Sequence, residues 1–194
     1  MPQLMIIIAS TRPGRGGWPV AQWFIKRATD HNGFEIMAVD LLELRLPVLD
    51  EPNHPRLRQY TQQHTREWSE HVDAADAFVF VTPEYNHGYP ASLKNAIDFL
   101  HHEWRHKPVG FVSYGGVAAG TRSVEQLQQV VTAVKLMPVI EQVNIPFYQQ
   151  FIDEDDGVLH ANDVMEQAAV AMLDQLVKLE ALLRPLREEA RAQV

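Results

Sequence analysis

Residues 78–99 read F-V-F-V-T-P-E-Y-N-H-G-Y-P-A-S-L-K-N-A-I-D-F, and this stretch restricts the chain to few architectures. Phe78 to Val81 is a short unbroken apolar run, the signature of a strand buried on both faces. Pro83, Asn86, Gly88 and Pro90 then interrupt it, and Ser92, Leu93, Ala96, Ile97 and Leu100 recur at helical spacing. Strand, polar loop, helix is the repeating step of an α/β sheet. In open sheets of this kind, ligands lie in the crevice outside the carboxyl ends of the strands.

The same step recurs along the chain. Leu4 to Ala9 is a second apolar run, followed by S-T-R-P-G-R-G-G and a helix marked by Val20, Ala21, Phe24, Ile25 and Ala28, opening at Trp18 or Pro19 and stopped by Asn32-Gly33. Phe34 to Leu41 reads as a strand. The segment from Leu42 to Arg58 carries Pro47, Pro52 and Pro55 and reads as a long loop with short helical pieces, and Gln59 to Ala74 as a helix. The helix after residue 90 is expected to run to about Arg105, ending before Pro108. Val109 to Ser113 is the fourth strand, Ser123 to Leu136 a helix, and Pro138 to Ile145 a fifth, less regular strand. Asp163 and Glu166 suggest a capping box for a last helix over about 162–191, which Pro185 should break or kink. Five strands alternating with five helices give one domain over 1–194, a doubly wound parallel sheet with helices on both faces, for which 2-1-3-4-5 is a common strand order.

Composition narrows function. The formal net charge of -8 disfavours a nucleic-acid partner. No apolar run spans a bilayer, Met1 to Ala9 lacks the basic start of a signal peptide, and cysteine is absent. A cytoplasmic location is the default, and disulfides, thiolate catalysis and Cys-bound metals are excluded.

Three loops would share one edge of the sheet. Ser10 to Gly17 precedes a helix, whose amino terminus suits a phosphate; Ser10 and Thr11 add hydroxyls, Arg12 and Arg15 forked cations, and Gly14, Gly16 and Gly17 close backbone approach. It is neither a Walker loop nor a G-x-G-x-x-G fingerprint, and a polar turn with two solvated arginines is the plain alternative. Thr82 to Tyr89 offers backbone groups to the edge of a planar ring, with Tyr85 as a wall; Glu84 and His87 read more simply as solvated groups than as acid or base. Tyr114 to Thr121 (Y-G-G-V-A-A-G-T) allows a flat ligand to approach. One end of the crevice would hold a phosphate and the middle a ring system.

Two other patterns are decoys. His102-Glu103-Trp104-Arg105-His106 matches H-E-x-x-H, but Pro108 ends the helix there, Val112 stands at the third-histidine position and Glu125, a distant candidate for third ligand, belongs to a different expected helix; the histidines are expected to cap the helix end. Asp153, Asp155, Asp156 and Gly157 have the wrong spacing for a calcium loop. No metal site is expected. Trp18, Trp23, Trp68 and Trp104 read mostly as core or interface residues.

Taken together, S-T-R-P-G-R, T-P-E-Y-N-H-G-Y-P-A-S-L-K-N-A-I-D and K-P-V-G-F-V-S-Y-G-G resemble the NADPH-dependent FMN reductase family of flavodoxin-like proteins. The likeness runs from the first strand to about the fourth helix, with Ala9 and Gly17 standing where the family often has Gly and Ser. It implies that Ser10, Arg12, Arg15 and Gly17 hold the FMN phosphate. Pro83, Glu84, Tyr85 and Asn86 would hold the isoalloxazine and ribityl groups, and Ser113, Tyr114, Gly115 and Gly116 would flank the ring. It further implies hydride transfer from NADPH or NADH to flavin N5 and then to a small acceptor (a quinone, azo compound, metal oxyanion or free flavin). No catalytic side chain is required, and a homodimer or homotetramer is expected. Two alternatives stay open: an FMN-binding electron carrier without a nicotinamide site, and a flavin-less binding module of the same fold.

Overall fold

The computed structural model of the chain describes residues 1–192. Strands β1 (Gln3–Ile8), β2 (Glu35–Asp40), β3 (Ala77–Pro83), β4 (Pro108–Gly115), β5 (Met137–Pro138) and β6 (Val143–Pro146) form one parallel sheet, in the order β2-β1-β3-β4-β5 with β6 also on β4. Helices α1 (Gly17–His31), α2 (Leu41–Leu44), α3 (Gln63–Ala74), α4 (Ala91–Asp98), α5 (Thr121–Ala133) and α6 (Asp163–Ala192) connect and cover it. The strand order and two-sided covering are those of a flavodoxin-like fold.

The unbroken apolar runs follow from burial on both faces. Leu4, Ile6 and Ile8 of β1 meet Val20 and Phe24 of α1 and Met172 and Leu176 of α6. Met5 and Ile7, with Phe78 and Phe80 of β3, face Trp68 of α3, Ile97 of α4 and Leu127 of α5. Each fully buried side chain of this size contributes about 1.5–3 kcal/mol, so the sheet's centre is its most stabilised part.

The expected helix over residues 91–105 stops at Asp98 instead. Trp68 Nε1 donates to the Ala96 carbonyl at 2.9 Å and Trp104 Nε1 to that of Ile97 at 3.1 Å, so the two buried indoles bond the last turn of α4, where the Ile97 carbonyl also accepts the Leu100 N–H at 3.3 Å. Trp104 must fold back into the core to do this, and the chain from Phe99 to Lys107 therefore runs as turns.

The fifth strand is two short pieces, β5 and β6, because the chain swings out between them and leaves Ile140 90% exposed. Pro185 does not break α6, which runs on past it. It is exposed, so the carbonyl that loses its helical bond can meet water. The capping box is replaced as well: Asn162 Oδ1 accepts the Met165 N–H at 3.0 Å, while Glu166 takes Trp23 Nε1 at 2.8 Å and pairs with Arg27. Among the described residues no helix is long and apolar enough to cross a membrane.

Candidate active site

The carboxyl ends of β1, β3 and β4 open into a cleft of about 230 Å³. It is lined by Ser10, Arg12, Gly14, Arg15 and Gly16 from the first loop and by Pro83, Glu84 and Tyr85 from the second. Tyr114, Gly115 and Gly116 come from the third, with Tyr148 and Gln149 from the turn after β6. The three loops meet along one rim because β1 pairs with β3, and β3 with β4, in parallel register: Ile8 lies beside Val81, and Pro83 beside Tyr114.

The first loop leads into α1 through Gly16. No side chain caps the helix and its first turn holds no acidic residue, so its leading N–H groups are left for an anion. Arg12 is exposed at the cleft, and among the described residues it has no carboxylate partner. Arg15 is committed elsewhere. Its guanidinium makes a two-pronged ion pair with Asp40, with Nη1 to Oδ1 at 2.7 Å, and donates to the Ser10 carbonyl at 2.5 Å. The Ser10 hydroxyl bonds the Tyr85 hydroxyl at 2.6 Å, tying the first loop to the second.

Gly16 and Gly17 admit tyrosines. A Cβ on Gly16 would lie 2.0 Å from the Tyr148 ring, and one on Gly17 2.3 Å from the Tyr114 hydroxyl. The two rings pack edge to face with centroids 5.0 Å apart. Gly17 is itself buried and does not line the cleft.

In the second loop, Tyr85 and Gly88 exchange backbone hydrogen bonds of 2.8 and 3.0 Å around Asn86 (φ 50°) and His87 (φ 70°). This is the tight two-residue hairpin in which both central residues take left-handed backbone. Asn86 therefore sits at an exposed tip rather than on the cleft wall. Glu84 is paired with Arg122 of α5, whose Nε donates to Oε1 at 2.6 Å. Ser113, in β4 just before the third loop, lies behind the wall. Its hydroxyl bonds the Ala119 carbonyl and Asn144 Oδ1, both at 2.8 Å, holding the turn that reaches α5 through Gly120 at φ +81°.

The cleft has polar groups that different parts of a phosphorylated flavin could use. Among the described residues the buried Tyr114 hydroxyl has no well-formed hydrogen bond, the Ser10 hydroxyl being the group that faces it, and burial pushes its pKa well up, so it stays a neutral donor. Glu84 Oε2 is likewise buried and unpartnered. Cβ positions on Gly14 and Gly116 would meet nothing within 4 Å, which leaves their backbone open to a bound group. Helix N–H groups and Arg12 at one end, and open backbone with aromatic walls beyond it, fit a phosphorylated ring cofactor.

The residues of the H-E-x-x-H pattern lie far from this chemistry, in the turns after α4. Glu103 is fully buried and accepts from Arg58, Tyr60, Ser69 and the His101 N–H. α4 ends at Asp98, so His102, which faces the Arg56 carbonyl at 2.8 Å, and His106 lie beyond it and neither caps that helix. Sequence reasoning missed Tyr148, Gln149, Arg122 and Asp40. A tyrosine shortly beyond a strand end was a visible signal for Tyr148, since the fifth strand is expected to end at Ile145 and β6 ends at Pro146.

An open cleft at the carboxyl edge of a flavodoxin-like sheet, with a phosphate-suited loop at one end, points to a flavin-binding class of protein. Over residues 2–150 the chain matches the family described as NADPH-dependent FMN reductase, and it belongs to that family. It is 40% identical over 149 residues to an NAD(P)H-dependent FMN reductase of Schizosaccharomyces pombe (75% of this chain, 74% of that one). Over 188 residues it is 31% identical to an NAD(P)H-dependent FMN reductase of a Nectria species (92% and 93%). Its fold is similar to that of a flavoenzyme NAD(P)H:(acceptor) oxidoreductase from Paracoccus denitrificans, with a TM-score of 0.73 at 18% identity, covering 93% of this chain and 98% of that one. The protein is an FMN-dependent NAD(P)H oxidoreductase.

Proposed function

We propose that the cleft between the three loops is where FMN sits, with its phosphate at the amino terminus of α1 and its ring between the second and third loops. The observation that carries this reading is the convergence, on one cleft, of uncapped α1, unpaired Arg12 and the open backbone of Gly14 and Gly116. Ser10, Arg12 and Gly14 lie at the phosphate end. Pro83, Glu84 and Tyr85 form one side of the ring site, with Asn86 at the hairpin tip beyond it. Tyr114, Gly115 and Gly116 form the other, with Ser113 fixing the turn behind them. Arg15 and Gly17 support the loop from within. When bound, the flavin supplies the two-electron chemistry by which a nicotinamide reduces a second, small acceptor. The protein's part is to bind, orient and exclude water, so no side chain is assigned a proton-transfer role. We further read the enzyme as a cytoplasmic homodimer or homotetramer able to use NADPH or NADH.

The test is direct. Purified protein should be yellow, and anaerobic NADPH should bleach its visible band within the turnover time; a carrier without a nicotinamide site would keep its colour. Arg12→Ala should weaken FMN binding by about 1.5–3 kcal/mol, the worth of a hydrogen bond to a charged group, while riboflavin binding stays near wild type. Equal losses for both ligands would remove Arg12 from the phosphate.

A further inference from the structure

Asp40 is the last residue of β2, and parallel pairing sets it beside Ile8, two residues before Ser10. From there its carboxylate reaches over the first loop and takes both prongs of the Arg15 guanidinium. Both side chains are nearly buried, 10% and 12% exposed. Arg15 in turn donates to the Ser10 carbonyl at 2.5 Å. Asp40 Oδ1 also accepts the Leu42 N–H at 2.9 Å and so starts α2. A carboxylate this close to a phosphate site repels the ligand unless a cation cancels it. Here Arg15 is that cation, which leaves Arg12 as the uncompensated charge at the cleft.

We propose that Asp40 is a positioning residue for the cofactor phosphate: acting through Arg15, it fixes the Ser10 backbone, and with it the loop whose N–H groups and Arg12 meet the phosphate. This inference rests on the reading that the first loop takes the phosphate. It assigns Arg15 to the scaffold of that loop. The pair is desolvated and two-pronged, the geometry in which an arginine is hardest to replace.

The test compares FMN with riboflavin, which lacks the phosphate, by quenching of flavin fluorescence with Asp40→Asn, Arg15→Met, the double variant and Arg12→Ala. Asparagine keeps the size of Asp40 and can still accept from Leu42, so α2 is retained. Asp40→Asn and Arg15→Met should each weaken FMN about tenfold, with riboflavin unchanged and the double variant no worse than either single one. A general loss of folding would lower both ligands together, as a phosphate-specific device does not. The inference is overturned if Asp40→Asn leaves the preference for FMN over riboflavin as it was, or tightens FMN. The second result would mean that Arg15, released from Asp40, binds the phosphate itself. If Arg12→Ala also leaves that preference intact, the phosphate lies elsewhere, and the assignment of the cleft fails with it.

Discussion

The two ends of the sheet treat polar groups in opposite ways. At the amino ends of the strands, charges are buried and engaged. Glu103 gathers Arg58, Tyr60 and Ser69, and the buried Lys107 donates to the Val72 and Asp73 carbonyls at 2.7 and 3.1 Å. Arg187 of α6 joins Glu180 to Asp76, which also receives the Gln3 N–H. At the carboxyl ends, α1 and α5 start without side-chain caps, the Tyr114 hydroxyl lacks a well-formed hydrogen bond among the described residues, and Tyr85 and Trp18 stand partly in solvent. Charge pairing is concentrated away from the cleft and open helix N–H groups lie beside it, while buried polar atoms without a well-formed hydrogen bond occur at both ends, Gln3 Oε1 and Arg187 Nε at one and the Tyr114 hydroxyl at the other.

The contrast can be broken most forcefully at Glu103. Glu103→Ala leaves the Tyr60 and Ser69 hydroxyls without their acceptor and the half-buried Arg58 guanidinium with only Asp73, and should cost about 2–3 kcal/mol in urea unfolding. FMN affinity of the folded protein should not change, because the site is at the other end. A proportionate loss of flavin affinity would show that the two ends are coupled.

A smaller effect concerns pH. His101 is 8% exposed; burial, then the charges of Arg105 and Arg56, hold its pKa down to about 4 from an ordinary 6.5. Between those values the unfolded chain binds the proton and the folded chain does not. Stability is therefore complete above about pH 6.5 and declines as pH falls toward 4, by an amount on the order of 1–2 kcal/mol. His101→Gln should flatten that part of the profile of urea midpoint against pH. Glu51 acts lower on the scale. Burial raises its pKa, but the N–H groups of Thr61 and Gln62 outweigh this and bring it to about 2, so its contribution is lost only below about pH 4.5.

The smallest expected effect sharpens the comparison at the open end. Tyr85→Phe removes one hydroxyl-to-hydroxyl bond with Ser10 and should cost about 1 kcal/mol or less by thermal unfolding. A much larger loss would mean that the rim is as tightly built as the opposite end.

How far the sequence could be read depended on whether a feature was local. β1, β3 and β4 announced themselves as apolar runs, and the loops after them as turn-rich segments, because burial on both faces and turn chemistry are written residue by residue. Asp40 was invisible because it matters only through the parallel register that sets it beside Ile8. The end of α4 was misplaced because two indoles, one of them from α3, bond carbonyls of its last turn. Glu103 looked like part of a metal motif in the linear chain, yet its partners Arg58, Tyr60 and Ser69 lie more than thirty residues away.

The hairpin at Asn86-His87 carries one more implication. Left-handed backbone is tolerable for asparagine, but a histidine at φ 70° sits where glycine would be more comfortable by roughly 1 kcal/mol. The Gln126 side chain, donating to the His87 carbonyl at 2.9 Å, braces the tip without removing that penalty. Folding alone would be better served by a bare hydrogen there, so the imidazole at the brim is an ornament the backbone carries at a loss.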